Sequence, residues 1–328
     1  MPLRIVFCGT PAFALPTLRQ LIAQQDFQVE AVVTQPDRPR GRGHETSISP
    51  VKAAALETGI AVYQPEKIKS ESAFDFFKRL APDVVVIIAY GQIIPQRLIE
   101  IPRLGWINLH GSLLPKYRGA APINWAIANG EARTGITTMQ VDAGLDTGPI
   151  LLTHEVEIAP DETAPQLYAR LAEAGAPLMA ETLRRLDRNE ITAQPQQNSQ
   201  ASLAPLLKKE DGRIDWSLAA PKIYNRIRGL QPWPGAFTAF RGKTCHIWGK
   251  PAQQKTGAAP ETPAAPGAAA INVAIPGAIV TRGHDVLVAC GDETCLHLEF
   301  AQLEGRKRTT AQEFVNGAHI SSSDRFGT

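Results

Sequence analysis

No apolar run in the chain approaches the roughly 18 residues that a membrane-crossing helix needs, and the opening Met1-Pro2-Leu3-Arg4 leads into a strand pattern with no signal segment. A cytoplasmic protein is expected. Cysteine is scarce: Cys8, Cys245, Cys290 and Cys295 form no Cys-x-x-Cys pair and have no histidine spacing that would assemble a tetrahedral zinc site. Buried, reduced thiols are expected, and no metal. Two phosphate-cradling motifs are missing as well. Cys8-Gly9-Thr10-Pro11 lacks the repeated glycines of the dinucleotide fingerprint, which argues against NAD, and no Gly-x-x-x-x-Gly-Lys-Ser/Thr segment exists to hold a triphosphate. A group transferred by this protein must therefore arrive already activated.

Charge of one sign is also lacking, since the net charge of the 328 residues is only +2. The two halves differ nonetheless. Residues 1 to 204 hold 19 basic and 21 acidic side chains, whereas 205 to 328 hold 15 and 11. A modestly basic second half suits a polyanion such as RNA, and an ordinary solvated surface would read the same way. The length exceeds what one ordinary core of about 100 to 200 residues holds, so two domains are expected.

What the chain does contain is concentrated between 108 and 148. Asn108-Leu109-His110-Gly111-Ser112-Leu113-Leu114-Pro115 is followed by Asp142-Ala143-Gly144-Leu145-Asp146-Thr147-Gly148. An amide, an imidazole and a carboxylate are offered at loop ends, beside glycines that let a substrate approach the backbone. These types can divide the transfer of a one-carbon acyl group without a covalent nucleophile. Asn108 donates to the carbonyl oxygen, His110 stabilises developing charge, and Asp146 orients or deprotonates. The plainer reading makes Asn108 and Asp146 turn formers and His110 a satisfied loop histidine.

Hydrophobic patterning places that segment. Strands are predicted over Leu3–Phe7, Val29–Val33, Val84–Ala89, Trp106–Leu109, Gly135–Val141 and Ile150–Val156, with helices over Phe13–Ile22, Val51–Leu56, Phe74–Leu80, Ile94–Ile99, Ile123–Ala128 and Leu167–Leu186. Alternating strands and helices argue for an α/β first domain built on a mainly parallel sheet covered by helices. His110 then falls where a strand of such a sheet gives way to a loop, which is where these folds bind ligands. Arg188–Pro205 has little periodicity and reads as an extended connector. Beyond it, one helix over Leu218–Leu230 and short strands over Ala236–Phe240, Cys245–Trp248, Ala278–Val280, Val286–Ala289 and Leu296–Leu303 are compatible with a small barrel or another compact β fold. Pro251–Ala270, an Ala, Pro, Gly and Gln tract, reads as a loop insertion.

Asn108 to Trp125, reading NLHGSLLPKYRGAAPINW, resembles the signature of the folate-dependent formyltransferases. The resemblance runs almost end to end, through Val6-Phe7-Cys8-Gly9-Thr10-Pro11, Gln35-Pro36-Asp37-Arg38-Pro39, Gly41-Arg42-Gly43, Asp215-Trp216-Ser217 and Pro232-Trp233-Pro234. It implies a Rossmann-like catalytic domain over 1–188, a linker over 189–205 and an OB-fold-like, tRNA-binding barrel over 206–328. It further implies transfer of formyl from 10-formyltetrahydrofolate to the amino group of methionine esterified to initiator tRNA, by a monomer. Asn108, His110 and Asp146 become the catalytic residues, and Ser112, Leu113, Leu114 and Pro115 the segment that contacts the folate carrier.

The finger Arg38-Pro39-Arg40-Gly41-Arg42-Gly43 sets three arginines among glycines, able to reach phosphates. Arg42 matches the family position implied in tRNA discrimination, with Arg40 and Arg38 beside it, while His44 and Glu45 stand where many relatives carry lysines. Arg226–Pro234, with Arg228, and Arg306-Lys307-Arg308 are further candidates for RNA contact, whereas Trp233 reads as core. Two other readings use the same residues: a formyltransferase or formyl-folate hydrolase acting on a small substrate, and a non-catalytic RNA-binding protein. The intact Asn108, His110 and Asp146 argue against the second.

Overall fold

The structure is a computed structural model that describes residues 1–40, 45–252, 275–321 and 323–328, with only the backbone of residues 39, 40, 45 and 46. Arg42 lies outside the described residues, as does all but the start of the Pro251–Ala270 insertion. The chain forms two compact units. Met1–Ile123, Ala132–Ala159 and Pro165–Leu206 make the first, and Asn124–Glu131, Pro160–Ala164 and Leu207–Thr328 the second.

In the first unit, β1 (Leu3–Gly9) leads through a single 3-10 turn into α1 (Leu15–Ala23), where Pro16 sits in the first turn and needs no amide hydrogen. β2 (Phe27–Val33) follows, then a short hairpin of β3 (Arg38–Arg40) and β4 (Glu45–Ser47). α2 (Pro50–Glu57) and, after β5 (Ala61–Tyr63), α3 (Glu71–Leu80) each begin on a serine, Ser49 and Ser70, whose side chain accepts an orphan backbone N–H of the first turn. β6 (Val84–Ile88), α4 (Gln96–Ile99), β7 (Trp106–His110), α5 (Pro122–Ala128), which counts with the second unit from Asn124 on, β8 (Arg133–Gln140), β9 (Ile150–Glu157) and α6 (Ala164–Asp187) complete the run.

The seven strands form one sheet in the order β5-β2-β1-β6-β7-β8-β9. β5 through β7 pair in parallel, and β8 and β9 add antiparallel to that edge. Every residue of β6 is buried, as a central strand covered on both faces requires. Val85, Phe77, Tyr90, Leu98 and Trp106 share one core, and the Trp106 indole N–H donates to the Leu98 carbonyl at 2.8 Å. From β1 the chain moves outward to β2 and β5, then returns to the other flank with β6 and β7. The order therefore reverses between β1 and β6, and a crevice opens beyond their carboxyl ends.

The segment read as a connector is bonded into this unit. Arg118 N–H donates to the Ser202 carbonyl at 2.8 Å, Ala204 N–H returns to the Arg118 carbonyl at 2.7 Å, and Gln194 and Ile150 exchange two backbone bonds at 2.8 Å. Composition shows no periodicity there because the partners lie some eighty and forty residues away.

In the second unit, α7 (Ala220–Gly229) precedes β10 (Phe237–Phe240), β11 (Lys243–Pro251), β12 (Ile279–Arg282), β13 (Asp285–Ala289), β14 (Cys295–Leu303), β15 (Thr309–Thr310) and α8 (Ala311–Ala318). The antiparallel order is β10-β11-β14-β13-β12, with β15 on β14. The C-terminal segment bridges the two ends of that path. Gly327 N–H donates to Ala239 of β10 at 2.8 Å, Phe326 N–H donates to Gly277 at 2.8 Å, and Ala278 bridges Arg325. That closure gives the expected small barrel, and Phe326 stacks on Trp216 in its core at 5.5 Å. Helix α8, which periodicity did not pick out, opens with a Thr310–Glu313 capping box.

Two expectations fail here. Trp233 is 55% exposed, not core, because the turn between its flanking prolines carries it outward. Arg228 is buried instead of RNA-facing: its guanidinium bonds Asn225 Oδ1 at 2.9 and 3.1 Å and the Glu162 carbonyl at 3.0 Å.

Candidate active site

β7 carries the first two site residues. It lies between β6 and β8, with Asn108 opposite Ile87 and Met139 and His110 opposite Thr137. Residues two apart on a strand share a face, so Asn108 and His110 point to the same side. That side opens into a cleft of about 750 Å³ in the first unit. Pro11 and Phe13 after β1, Ile87 of β6 with residues 89–94 beyond it, Gly119 and Ala120, the 141–146 loop and Tyr168 are among the rest of its lining.

His110 is held by the backbone. A carbonyl can only accept, so the 2.8 Å contact to the Tyr117 oxygen places a hydrogen on Nε2. Nδ1 is left to face Asp146 Oδ2 at 3.7 Å. The same carboxylate oxygen accepts the Gly119 N–H at 2.8 Å. Gly119 has φ 118°, and a Cβ there would lie 2.7 Å from the Ala204 carbonyl oxygen, so only glycine fits without displacing that strand of chain.

Asp146 sits in the left-handed region at φ 52°, which aspartate tolerates better than most residues. Its loop is fastened twice. Asp142 Oδ1 accepts from Gly144 N–H at 3.0 Å and the Thr147 hydroxyl at 2.7 Å, while Gln196 Nε2 donates to the carbonyls of Asp146 at 2.9 Å and Gly148 at 2.7 Å. Arg118 fixes Gln196 in turn, donating to its Oε1 at 2.7 and 3.0 Å. The Asn108 amide is half-buried in the cleft and makes no side-chain hydrogen bond among the described residues. A hydrogen-bond donor aimed at an incoming oxygen needs that freedom.

The structure thus brings Asn108, His110 and Asp146 to one cleft. Ser112, Leu113, Leu114 and Pro115 form the turn that follows Gly111 out of it. Their backbone is largely engaged: the Thr137 hydroxyl donates to the Ser112 carbonyl at 2.7 Å and accepts Leu114 N–H at 3.2 Å, and Lys116 N–H donates to Leu113 at 3.1 Å. Ser112 and Leu114 are buried, and Leu113 and Pro115 half-buried. Arg38 is exposed on β3, and the backbone of position 40 lies opposite that of position 45 in the hairpin register. Lys52 pairs with Asp37 at the hairpin root and holds its carboxyl below the usual carboxylate range. In the second unit, the Arg308 guanidinium lies 4.4 Å from the Trp248 ring centre and 4.0 Å from that of Phe300.

Sequence reasoning did not find the wall after β6 or the latch through Gln196 and Tyr117. Ala89-Tyr90-Gly91-Gln92 leaves a central strand at its carboxyl end, and that position was the available signal. Nothing local marks Gln196. The thiols are unsuited to nucleophilic work: burial raises Cys8 well above the ordinary value and pushes Cys245 and Cys290 up to about 12. Cys295 alone is half-buried. Among the described residues no group of His, Cys, Asp or Glu gathers to hold a metal ion, and no helix is long and apolar enough to cross a membrane.

Comparison with known proteins extends the geometry. The family described as formyl transferase matches residues 3–183, and that described as formyl transferase, C-terminal domain, matches 206–319. A protein of Solibacter usitatus called methionyl-tRNA formyltransferase is 51% identical over 99% of both chains, and one of Koribacter versatilis with the same name is 50% identical over 98% of both. Among solved structures, the sugar 3N-formyl transferase WlaRD, crystallised with dTDP and 5-N-formyl-THF, superposes with a TM-score of 0.65 at 18% identity, over 94% of this chain and 100% of its own. A Helicobacter canadensis N-formyltransferase, in complex with folinic acid and dTDP-3-aminofucose, gives 0.62 at 17% identity, over 91% and 99%. At such identities the likeness is one of fold.

Proposed function

The chain belongs to the formyl transferase family, and on that premise we propose that it moves the formyl group of 10-formyltetrahydrofolate onto the α-amino group of methionine esterified to initiator tRNA. The observation that carries this is the convergence of Asn108, His110 and Asp146 on one cleft, in a chain half identical from end to end to relatives named for that reaction. Those relatives match the second unit as well as the first.

An α-amino group has a reference pKa of about 7.7 to 8.0, so a useful fraction is neutral and nucleophilic near physiological pH. Its nitrogen attacks the formyl carbon, and a C–N bond forms while charge builds on the formyl oxygen. The Asn108 amide and the His110 ring receive that charge. Collapse breaks the bond to the folate nitrogen, the amine gives up a proton and the departing nitrogen takes one up. With Nε2 tied to the Tyr117 carbonyl, only Nδ1 of His110 can exchange a proton on the cleft side. Asp146, fixed by the Gly119 N–H, faces that nitrogen and keeps the ring oriented toward the cleft.

The cleft takes the carrier, with the Ser112-Leu113-Leu114-Pro115 turn as the fixed edge against which the flat pterin is set. Arg38 and Arg40 of β3, with Arg42 after them in the sequence, meet the RNA, and the second unit gives it a further basic surface. The protein works in the cytoplasm as a monomer. Purified protein mixed with 10-formyltetrahydrofolate and either methionyl-tRNA or free methionine tests this. Formylation of the charged tRNA alone is the expected result, and formylation of free methionine at equal rate, or release of formate only, would refute it.

A further inference from the structure

One glutamine ties the root of the β3–β4 hairpin to the wall of the cleft. Gln35 lies between β2 and β3, and its four polar groups are all engaged. Its backbone N–H donates to Thr10 Oγ1 at 3.3 Å, and its carbonyl accepts from Gln64 Nε2 at 2.9 Å. Its amide nitrogen donates to the Tyr90 carbonyl at 2.9 Å, and its amide oxygen accepts from Gln92 Nε2 at 3.3 Å. Tyr90 and Gln92 line the cleft. On the hairpin side Gln64 also donates to Asp37 Oδ1 at 3.0 Å and accepts from Lys52 Nζ at 2.7 Å, and Lys52 pairs with Asp37.

The wall needs such a restraint. Ala89 at φ 48° and Gly91 at φ 88° flank Tyr90, and alanine occupies the left-handed region only when its surroundings hold it there. The bond from Gln35 falls on the carbonyl between them. Only a primary amide serves both contacts at once: glutamate would set an acceptor against the Tyr90 carbonyl, and methionine, of similar length, would supply neither bond.

We propose that Gln35 is a positioning residue that fixes the cleft wall and the hairpin root as one body, so that carrier binding and RNA use depend on the same clasp. This rests on the function proposed above, in which the cleft takes the folate and the hairpin meets the RNA.

The test compares the full-length protein with Gln35→Met, Gln64→Leu and Gln92→Leu, measuring 5-formyltetrahydrofolate affinity by calorimetry, and kcat and KM for methionyl-tRNA. The wild type alone judges the function, which fails if no formyl reaches the tRNA; the variants judge the clasp. Effects should cross. Gln64→Leu, which does not line the cleft, weakens folate binding about three- to ten-fold, and Gln92→Leu raises KM for tRNA by about the same factor. Gln35→Met does both while kcat stays within about two-fold, and adding Gln64→Leu to it has little further effect, because both remove one network. If Gln64→Leu fails to fold, Gln64→Glu replaces it, keeping the Lys52 bond while removing the donor. Wild-type folate affinity in the folded Gln64 variant, or wild-type KM for tRNA in Gln92→Leu, overturns the proposal.

Discussion

At position 110 a backbone carbonyl decides which ring nitrogen is left free. Because the Tyr117 carbonyl takes the hydrogen of Nε2, Nδ1 is the nitrogen that faces Asp146, 3.7 Å away. Removing one preorganised oxyanion donor typically costs about 3 to 4 kcal/mol of transition-state stabilisation. Asn108→Ala and His110→Ala should therefore each lower kcat by about two to three orders of magnitude with the fold intact. Single-turnover formylation of methionyl-tRNA measures this, and near-normal rates in folded variants would contradict the assignment. Both side chains were legible in the sequence from the contiguous Asn108-Leu109-His110-Gly111 motif at a predicted strand end, whereas their common face came with β7 reaching His110. The hydrogen bond to the Tyr117 carbonyl was not, because it depends on a left-handed turn at φ 61° that no residue type announces.

The elements matter through what they hold still. The 142–148 loop between β8 and β9 carries Asp146, and its outer fastening comes from Gln196, in a stretch whose composition reads only as a connector. Gln196→Leu leaves two loop carbonyls and the Arg118 guanidinium with fewer partners. It should lower kcat about ten-fold or more through misplacement of Asp146 and leave the carrier site occupied. Steady-state kinetics beside a folate titration separates the two effects, and an unchanged kcat would remove Gln196 from the site's support. The strands themselves were visible as apolar runs, apart from β3, β4, β5 and β15, each only two or three residues long. Strands so short lack the repeats that periodicity needs.

In the barrel, Arg241 grips Asp324 with two bonds of 2.7 Å and Ser321 N–H adds a third at 2.8 Å, so the carboxyl is held far below its ordinary range. A carboxyl depressed on folding stabilises above its unfolded value near 4 and loses that contribution as pH falls toward the folded value. Asp324→Asn should lower the thermal midpoint near neutrality, and its deficit relative to wild type should shrink below about pH 4. A deficit that persists unchanged into strong acid would contradict this.

For the molecule as a whole, charge sets how the acceptor is met. The excess of basic side chains after residue 205 and the hairpin arginines predict that KM for methionyl-tRNA rises steeply with salt while folate affinity changes little. Titration from low to high potassium chloride checks it, and parallel responses of both substrates would assign the effect to the catalytic unit instead. Arg308, whose guanidinium lies over the rings of Trp248 and Phe300, shows how such a charge is held by aromatic faces.

By itself the sequence determined the α/β order of the first unit, the strand that leads to His110, the three polar side chains that meet at one cleft and the presence of a small β unit after them. Those features follow from local periodicity, from side-chain chemistry and from motifs contiguous in the chain. Tertiary structure alone decided that the strand order reverses beside β1, that residues 325–327 close the barrel, that Gln196 latches the Asp146 loop, and that Gln35 joins hairpin to cleft. Each of these rests on bonds between residues tens of positions apart, made by backbone groups every residue carries or by glutamines with no local pattern, so only the folded chain could select the partners.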